Sequence, residues 1–287
     1  MATISPNVVS DWTAELDVLR CVACAGRIQA GTTAAPPGPD PAFACVDCGR
    51  VYPTRDGVLV VKEELAGDNR IAADFYNSPL WPKFRFWEWW FWLNHGGERR
   101  CRDSILRNLP QQHGLRLLDV AIGDGVYTSW LPRDWNIVGI DISTVQLTNC
   151  RRNNPQRDLR LALGEAEVLP FDDRSFDAVL SIGGFNHFSD PEAALREMVR
   201  VVRPGSTIVV SDELPNLTDR MPGRKIGLPG LDRWIVARLM NLGYDFTDLV
   251  ERRRHLDVAA IGHRVLRNCR YELIWKREGY VMVGQAP

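Results

Sequence analysis

The sequence predicts an α/β fold: a parallel sheet with helices on both faces, a small N-terminal metal ribbon and an inserted cap. Three observations lead there. From Leu115 onward, strand-like apolar runs alternate with helical segments, which requires crossover helices on both faces of a sheet. Ahead of them stand two Cys-x-x-Cys pairs flanked by short β-rich pieces. Residues 214–262 then break the rhythm with a composition rich in Arg, Pro and Gly, as an inserted cap would.

The elements follow in chain order. The start, MATISPNVVSDW, has no basic region followed by a long apolar stretch, so no secretory signal is expected. Residues 15–64 read as the ribbon: VLRCVACAGRI, a Pro/Gly-rich loop (GTTAAPPGPDP), then FACVDCGRVYPTRDGVLVV. Residues 65–114 read as an aromatic-rich helical lid or linker, opening near the charged KEELAGDNR and ending in the helical GGERRCRDSILRNL. Within it, eight of the twelve residues from Trp81 to Trp92 are aromatic. Residues 115–287 read as the main domain, with the cap at about 214–262. LRLLDVAIG is a strand and YTSWL opens a helix; NIVGIDIS is a strand and TVQLTNCRRNN a helix. DLRLALGEAE, FDAVLSIGG and STIVVSDE are further strands. PEAALREMVRVV is an amphipathic helix with Ala194, Met198 and Val201 on one side. RYELIWKREGYVMVGQAP closes the chain as two strands around Glu278-Gly279.

Composition narrows the function. The 287 residues are 45% hydrophobic and 25% charged, ordinary for a soluble globular chain, and no apolar run reaches membrane-spanning length. The net charge of −1 argues against a chain built mainly to hold nucleic acid. Of seven cysteines, four form the two pairs, and Cys101, Cys150 and Cys269 lie scattered. That is a metal site plus free thiols in a reducing cytoplasm, not a disulfide framework.

Two motifs carry chemistry. Cys21-x2-Cys24-x20-Cys45-x2-Cys48 supplies four soft ligands in two knuckles, the tetrahedral set that zinc takes. With all four positions filled by protein, the metal would be structural. LLDVAIGDGVYTSWL is a strand, a glycine turn and a helix start, where Gly123 and Gly125 let the backbone pass close to a ligand. VGIDIS places Asp141 at the end of the next strand, where an acidic residue holds ribose hydroxyls or merely caps a helix.

DVAIGDG, VGIDIS, GEAEVLPFDDRSFDAVLS and REMVRVVRPGSTIVVSDE, in that order, resemble class I S-adenosylmethionine-dependent methyltransferases of the ubiquinone/menaquinone C-methyltransferase-like, type 11 branch. The resemblance covers about residues 70–212 and implies a Rossmann-like sheet of seven strands. Residues 15–64 resemble the small zinc-ribbon domains fused to, or partnered with, some methyltransferases. In this family Asp119, Ala121, Gly123 and Gly125 would line the methionine part of the cofactor, with Ala121 standing where a glycine is usual. Asp141 would take the ribose hydroxyls, Ile142 would lie against the adenine, and Glu165, beside Ala166, would accept from its amino group. Ser181 and Ile182 would reach the cofactor at the fourth strand's end, and Tyr76 would lie near its carboxylate.

Methyl transfer needs alignment and exclusion of water, and carbon or oxygen acceptors often need a base. His187, in SIGGFNHFSD, is the candidate base, its alternative being a packing residue; Asn186 and Asp212 are weaker neighbours on the same edge. Because the family folds the segment before the glycine loop over the active site, the aromatic run could be a substrate roof carried by Trp87, Trp90 and Phe91. It could equally be an interdomain plug or a membrane or partner contact. A helix apolar on most sides is expected to be buried on most sides. The expected activity is methyl transfer to carbon or oxygen of a hydrophobic small molecule: a quinone, polyketide, isoprenoid or other natural product. An rRNA or tRNA base methyltransferase with a zinc module, its cap arginines on phosphates, is the first rival. A methyltransferase-shaped binding protein without turnover is the second. A homodimer is compatible with the sequence.

Overall fold

The computed structural model describes residues 12–31 and 42–287. The expectations for the extreme N-terminus and for residues 32–41 of the Pro/Gly loop fall outside them. The ribbon is built from β1 (Ile28–Ala30), β2 (Ala42–Cys45), β3 (Val51–Arg55) and β4 (Val58–Val60). Asp56-Gly57 turns β3 into β4 with φ of 51° and 74°, the left-handed pair that a two-residue hairpin needs.

Three helices follow: α1 (Gly67–Asn77), α2 (Leu80–Asn94) and α3 (Glu98–Leu106). The main domain then runs β5 (Arg116–Val120), β6 (Asn136–Asp141), α4 (Thr144–Asn153), β7 (Leu159–Leu163), β8 (Phe176–Ile182), α5 (Pro191–Val201) and β9 (Val202–Glu213). The cap contributes α6 (Pro222–Lys225), α7 (Pro229–Trp234) and α8 (Tyr244–Arg253). The chain ends with α9 (Val258–Val265), β10 (Arg267–Ile274) and β11 (Gly279–Gln285). Ser143 caps α4 and Asp190 caps α5 by accepting from the backbone N–H three residues on. Ala194, Met198 and Val201 are buried, as the periodicity of α5 requires.

The strand order is β1-β2-β3-β4-β7-β6-β5-β8-β9-β11-β10. β7, β6, β5, β8 and β9 are parallel, and β11 enters antiparallel to both β9 and β10. The order reverses between β5 and β8, so their C-terminal ends open a crevice where such sheets bind ligands. β4 pairs in parallel with β7, Leu59 opposite Ala162, so the ribbon extends the main sheet.

Two expectations need correction. YTSWL does not open a long helix: one 3₁₀ turn, Thr128–Trp130, stands there. Pro132 follows at once and β6 begins at Asn136, leaving no room for more. No residue of α2 is buried, so this helix, apolar on most sides, is not covered on most sides. α9 buries Val258, Ile261 and Val265 in the main core with α5.

Candidate functional site

The glycine turn is pinned from β6. Ala121 and Ile122 donate to the Ile140 carbonyl at 2.8 and 3.2 Å. Gly123 donates to Asp141 Oδ2 at 2.9 Å, and Ser143 donates to Oδ1 at 2.8 Å. Burial still pushes the Asp141 carboxyl up to about 6, against these two bonds. Ala121 holds φ at 62°, left-handed backbone that glycine takes more readily. Gly123 is left-handed too, and a side chain built there would point into open space, leaving the backbone free to meet a ligand.

That space belongs to a cavity of about 550 Å³ at the crevice. From the expected cofactor set, Tyr76, Ala121, Gly123, Asp141, Ile142 and Ala166 line it, as does Ile182. Trp87, Phe91, Asn186 and His187 line it as well. Five expected residues are elsewhere. Asp119 is buried beneath the loop, its carboxyl held well above the usual range by burial and then by Asp141. Gly125 packs on α4, where a Cβ would meet Cys150 Sγ at 2.5 Å. Glu165 is drawn aside by Lys62 and by Asn69 Nδ2 at 3.3 Å. Ser181 is fully buried, and Trp90 stands on the outer face of α2.

His187 sits in a 3₁₀ turn after β8 with its ring 4.9 Å from that of Phe246. Burial and then Arg253 push its imidazole down to about 4, so it stays neutral and is a weak proton acceptor near pH 7. Asn186 is fully engaged: its N–H donates to Asp212, its amide to the Glu213 carbonyl, and its oxygen accepts from Tyr280.

Sequence reasoning did not single out Glu213, and it ranked Asp212 low. Both end β9 and line the cavity. Burial raises Asp212 to about 7, against N–H bonds from Asn186 and Glu213. Burial, then Asp212, Glu88 and Glu278, raises Glu213 to about 8. The available signal was a pair of acids closing an apolar strand in VVSDE. Trp275 completes this part of the wall, 5.4 Å from Phe91 and 5.6 Å from Trp92 between ring centroids. Arg85 ties α2 to Asp124 of the glycine loop.

In the ribbon, the Sγ atoms of Cys21, Cys24, Cys45 and Cys48 all lie within 4.8 Å of one another. This suits a tetrahedral ion with thiolate bonds of about 2.3 Å. Tyr52 Oη donates to Cys21 Sγ at 3.0 Å, the supporting contact that orients a ligand.

Residues 118–210 match the methyltransferase-domain family. The demethylmenaquinone methyltransferase of Renibacterium salmoninarum is 36% identical over 121 residues, 42% of this chain and 50% of that protein. The fatty-acid O-methyltransferase of Mycolicibacterium smegmatis is 33% identical over 105 residues, 36% of this chain and 38% of that protein. The chain thus spans about half the length, or less, of these curated relatives. A SAM-dependent methyltransferase structure from Aquifex aeolicus superposes with a TM-score of 0.43 at 16% identity, covering 65% of this chain and 89% of that one. No helix among the described residues is long and apolar enough to cross a membrane.

Proposed function

We propose that this protein transfers a methyl group from S-adenosylmethionine to a carbon or oxygen of a hydrophobic small molecule, and that its ribbon holds a structural zinc ion. One observation carries the reading: a single cavity joins the Gly123–Asp141 edge of the sheet to the rings of α2 and Trp275. The residues present fit the cofactor. Gly123 leaves space for it, Asp141 offers a carboxylate for a diol, and buried Gln146 turns an unpartnered Oε1 toward the same wall. When bound, the cofactor supplies an already reactive methyl group.

The chain's own residues then have three tasks. Asp141 and the loop backbone hold the ribose end. Trp87, Phe91 and Trp275 orient an apolar acceptor and keep water out. Glu213, with a carboxyl poised at about 8, takes the proton that leaves the acceptor, a task His187 at about 4 suits less well.

Titration calorimetry with S-adenosylhomocysteine tests the assignment. Wild type binds, and Asp141→Asn, which keeps the side-chain shape, binds about tenfold or more weakly. Wild-type protein that takes up neither S-adenosylmethionine nor S-adenosylhomocysteine would end this reading.

A further inference from the structure

The outer face of α2 is the least expected surface of the molecule. Ten of the sixteen large apolar side chains that stand exposed among the described residues belong to just two segments, α2 and the cap from Ile226 to Leu239. On α2, Phe86, Trp89, Trp90 and Leu93 recur every three or four residues, and Phe86, Trp89 and Leu93 are each more than half exposed, at 57, 56 and 57%. On the cap, Ile226, Leu228, Trp234 and Leu239 are exposed in the same way. The two segments touch, because the Trp87 indole N–H donates to the Leu239 carbonyl at 3.2 Å. A contiguous apolar face of this kind on a soluble chain marks an interaction surface.

Charge decides what covers it. Those two segments and the Arg224-Lys225 pair just ahead of the second hold six cations. Arg85 is taken by Asp124, Arg224 by Glu251 and Arg233 by Asp248. Lys83, Lys225 and Arg238 have no acidic partner among the described residues; Arg238 lies 5.3 Å from the Tyr244 ring. The two carboxylates of these segments are both occupied. Glu88 faces the cavity and pairs with Arg85 at 3.2 Å. Asp232 is buried and caps the Gly223 and Arg224 N–H groups. The outer face is therefore apolar, tryptophan-rich and cationic. A second copy is a poor occupant, since a two-fold contact would bring Lys83, Lys225 and Arg238 against their own kind. Indole rings beside unpaired cations match the boundary between acyl chains and anionic headgroups.

We propose that this face docks the protein on an anionic lipid surface, with α2 lying in the interface. Trp87 belongs both to the cavity wall and to the exposed face, so docking sets the wall of the cavity against the bilayer. An apolar ligand could then pass between the two without crossing water.

The test is intrinsic tryptophan fluorescence and co-sedimentation with phosphatidylcholine vesicles, with and without phosphatidylglycerol. The full chain is expected to bind the phosphatidylglycerol vesicles with a blue shift, and to release them as salt rises. Phe86→Ser/Trp89→Ser should weaken partitioning about tenfold or more. Lys83→Gln/Lys225→Gln/Arg238→Gln, which leaves every ring in place, should remove the preference for phosphatidylglycerol. Failure to bind either vesicle would overturn the proposal. So would a dimer in sedimentation velocity that Phe86→Ser/Trp89→Ser dissociates while vesicles stay unbound. Calorimetry with S-adenosylhomocysteine on the same samples keeps this question apart from the methyltransferase reading.

Discussion

Ala121 and Gly184 face each other across the cavity floor, and their fit is tight. A Cβ on Gly184 would come within 2.6 Å of Ala121 Cβ and 3.3 Å of the Phe188 ring. Gly184 has an ordinary φ of −124°, so a larger residue there meets a clash and no backbone strain. Gly184→Ala should therefore cost about 1–3 kcal/mol, the usual range for overpacking. Ala121→Gly should recover much of that loss in the double variant, because it removes the methyl being struck. Alone, Ala121→Gly should be close to neutral. It releases a left-handed alanine worth about 1–2 kcal/mol and adds unfolded-chain entropy of about 0.5–1 kcal/mol. Urea unfolding of the four-protein cycle measures the coupling, and additive effects would show that the two positions do not meet. The alanine standing where a glycine is usual was legible in the sequence; its partner was not, since contact across 63 positions leaves no local pattern.

Among the elements, β4 shows what local reading misses. The sequence spaced the four cysteines and suggested a separate ribbon, yet Val58–Val60 runs parallel to β7 on one side and antiparallel to β3 on the other, joining the ribbon to the main sheet. Three residues carry no period long enough to announce a partner, and parallel pairing across a hundred positions is settled by the edge β7 leaves open. The strands β5, β6, β8 and β9 were legible because they are continuous apolar runs, as strands buried on both faces must be. The helix expected after the glycine turn was not formed, because Pro132 and the nearby start of β6 outweigh local propensity. α2 misled differently: its rings face a cavity on one side and the surroundings on the other, and hydrophobicity alone cannot separate those from a packed core. Splicing the ribbon into the sheet has a consequence for metal removal. A chelator strong enough to remove the zinc proposed for the four thiolates should raise amide exchange in β4 and β7 as well as in the knuckles, and lower the melting temperature. Exchange confined to residues 19–55 would mean that β4 keeps its place beside β7 without the metal.

At the scale of the whole molecule, the cavity is an electrostatic expense, and pH should expose it. Asp212 and Glu213 titrate at about 7 and about 8 in the folded protein, against ordinary values of 3.8 and 4.5. Between those limits the native state binds more protons than the unfolded chain. Stability contributed by these groups therefore falls as pH rises, most steeply up to about 8. Asp141, at about 6, acts in the same direction over a lower window. His187 has the opposite sign: lowered to about 4, it adds stability as pH climbs toward its ordinary 6.5 and contributes nothing further above it. Above 6.5, Asp212 and Glu213 are both still titrating. The Cys21 thiol, against its burial brought down to about 6 by the Tyr52 hydroxyl and neighbouring N–H groups, titrates there with the reverse sign, so the informative quantity is a difference between two proteins carrying the same ribbon. Melting temperatures of wild type and Asp212→Asn/Glu213→Gln, without ligand and at fixed ionic strength, should draw apart as pH rises from the ordinary carboxylate values of 3.8 and 4.5 and level off above about 8, the variant gaining on wild type. Parallel curves would show that both carboxylates are ionised throughout, which would also remove Glu213 from its role as a proton acceptor poised near neutral pH. A gap that closes when S-adenosylhomocysteine is added would show that bound ligand relieves the same desolvation, joining the acids of β9 to the site at the crevice.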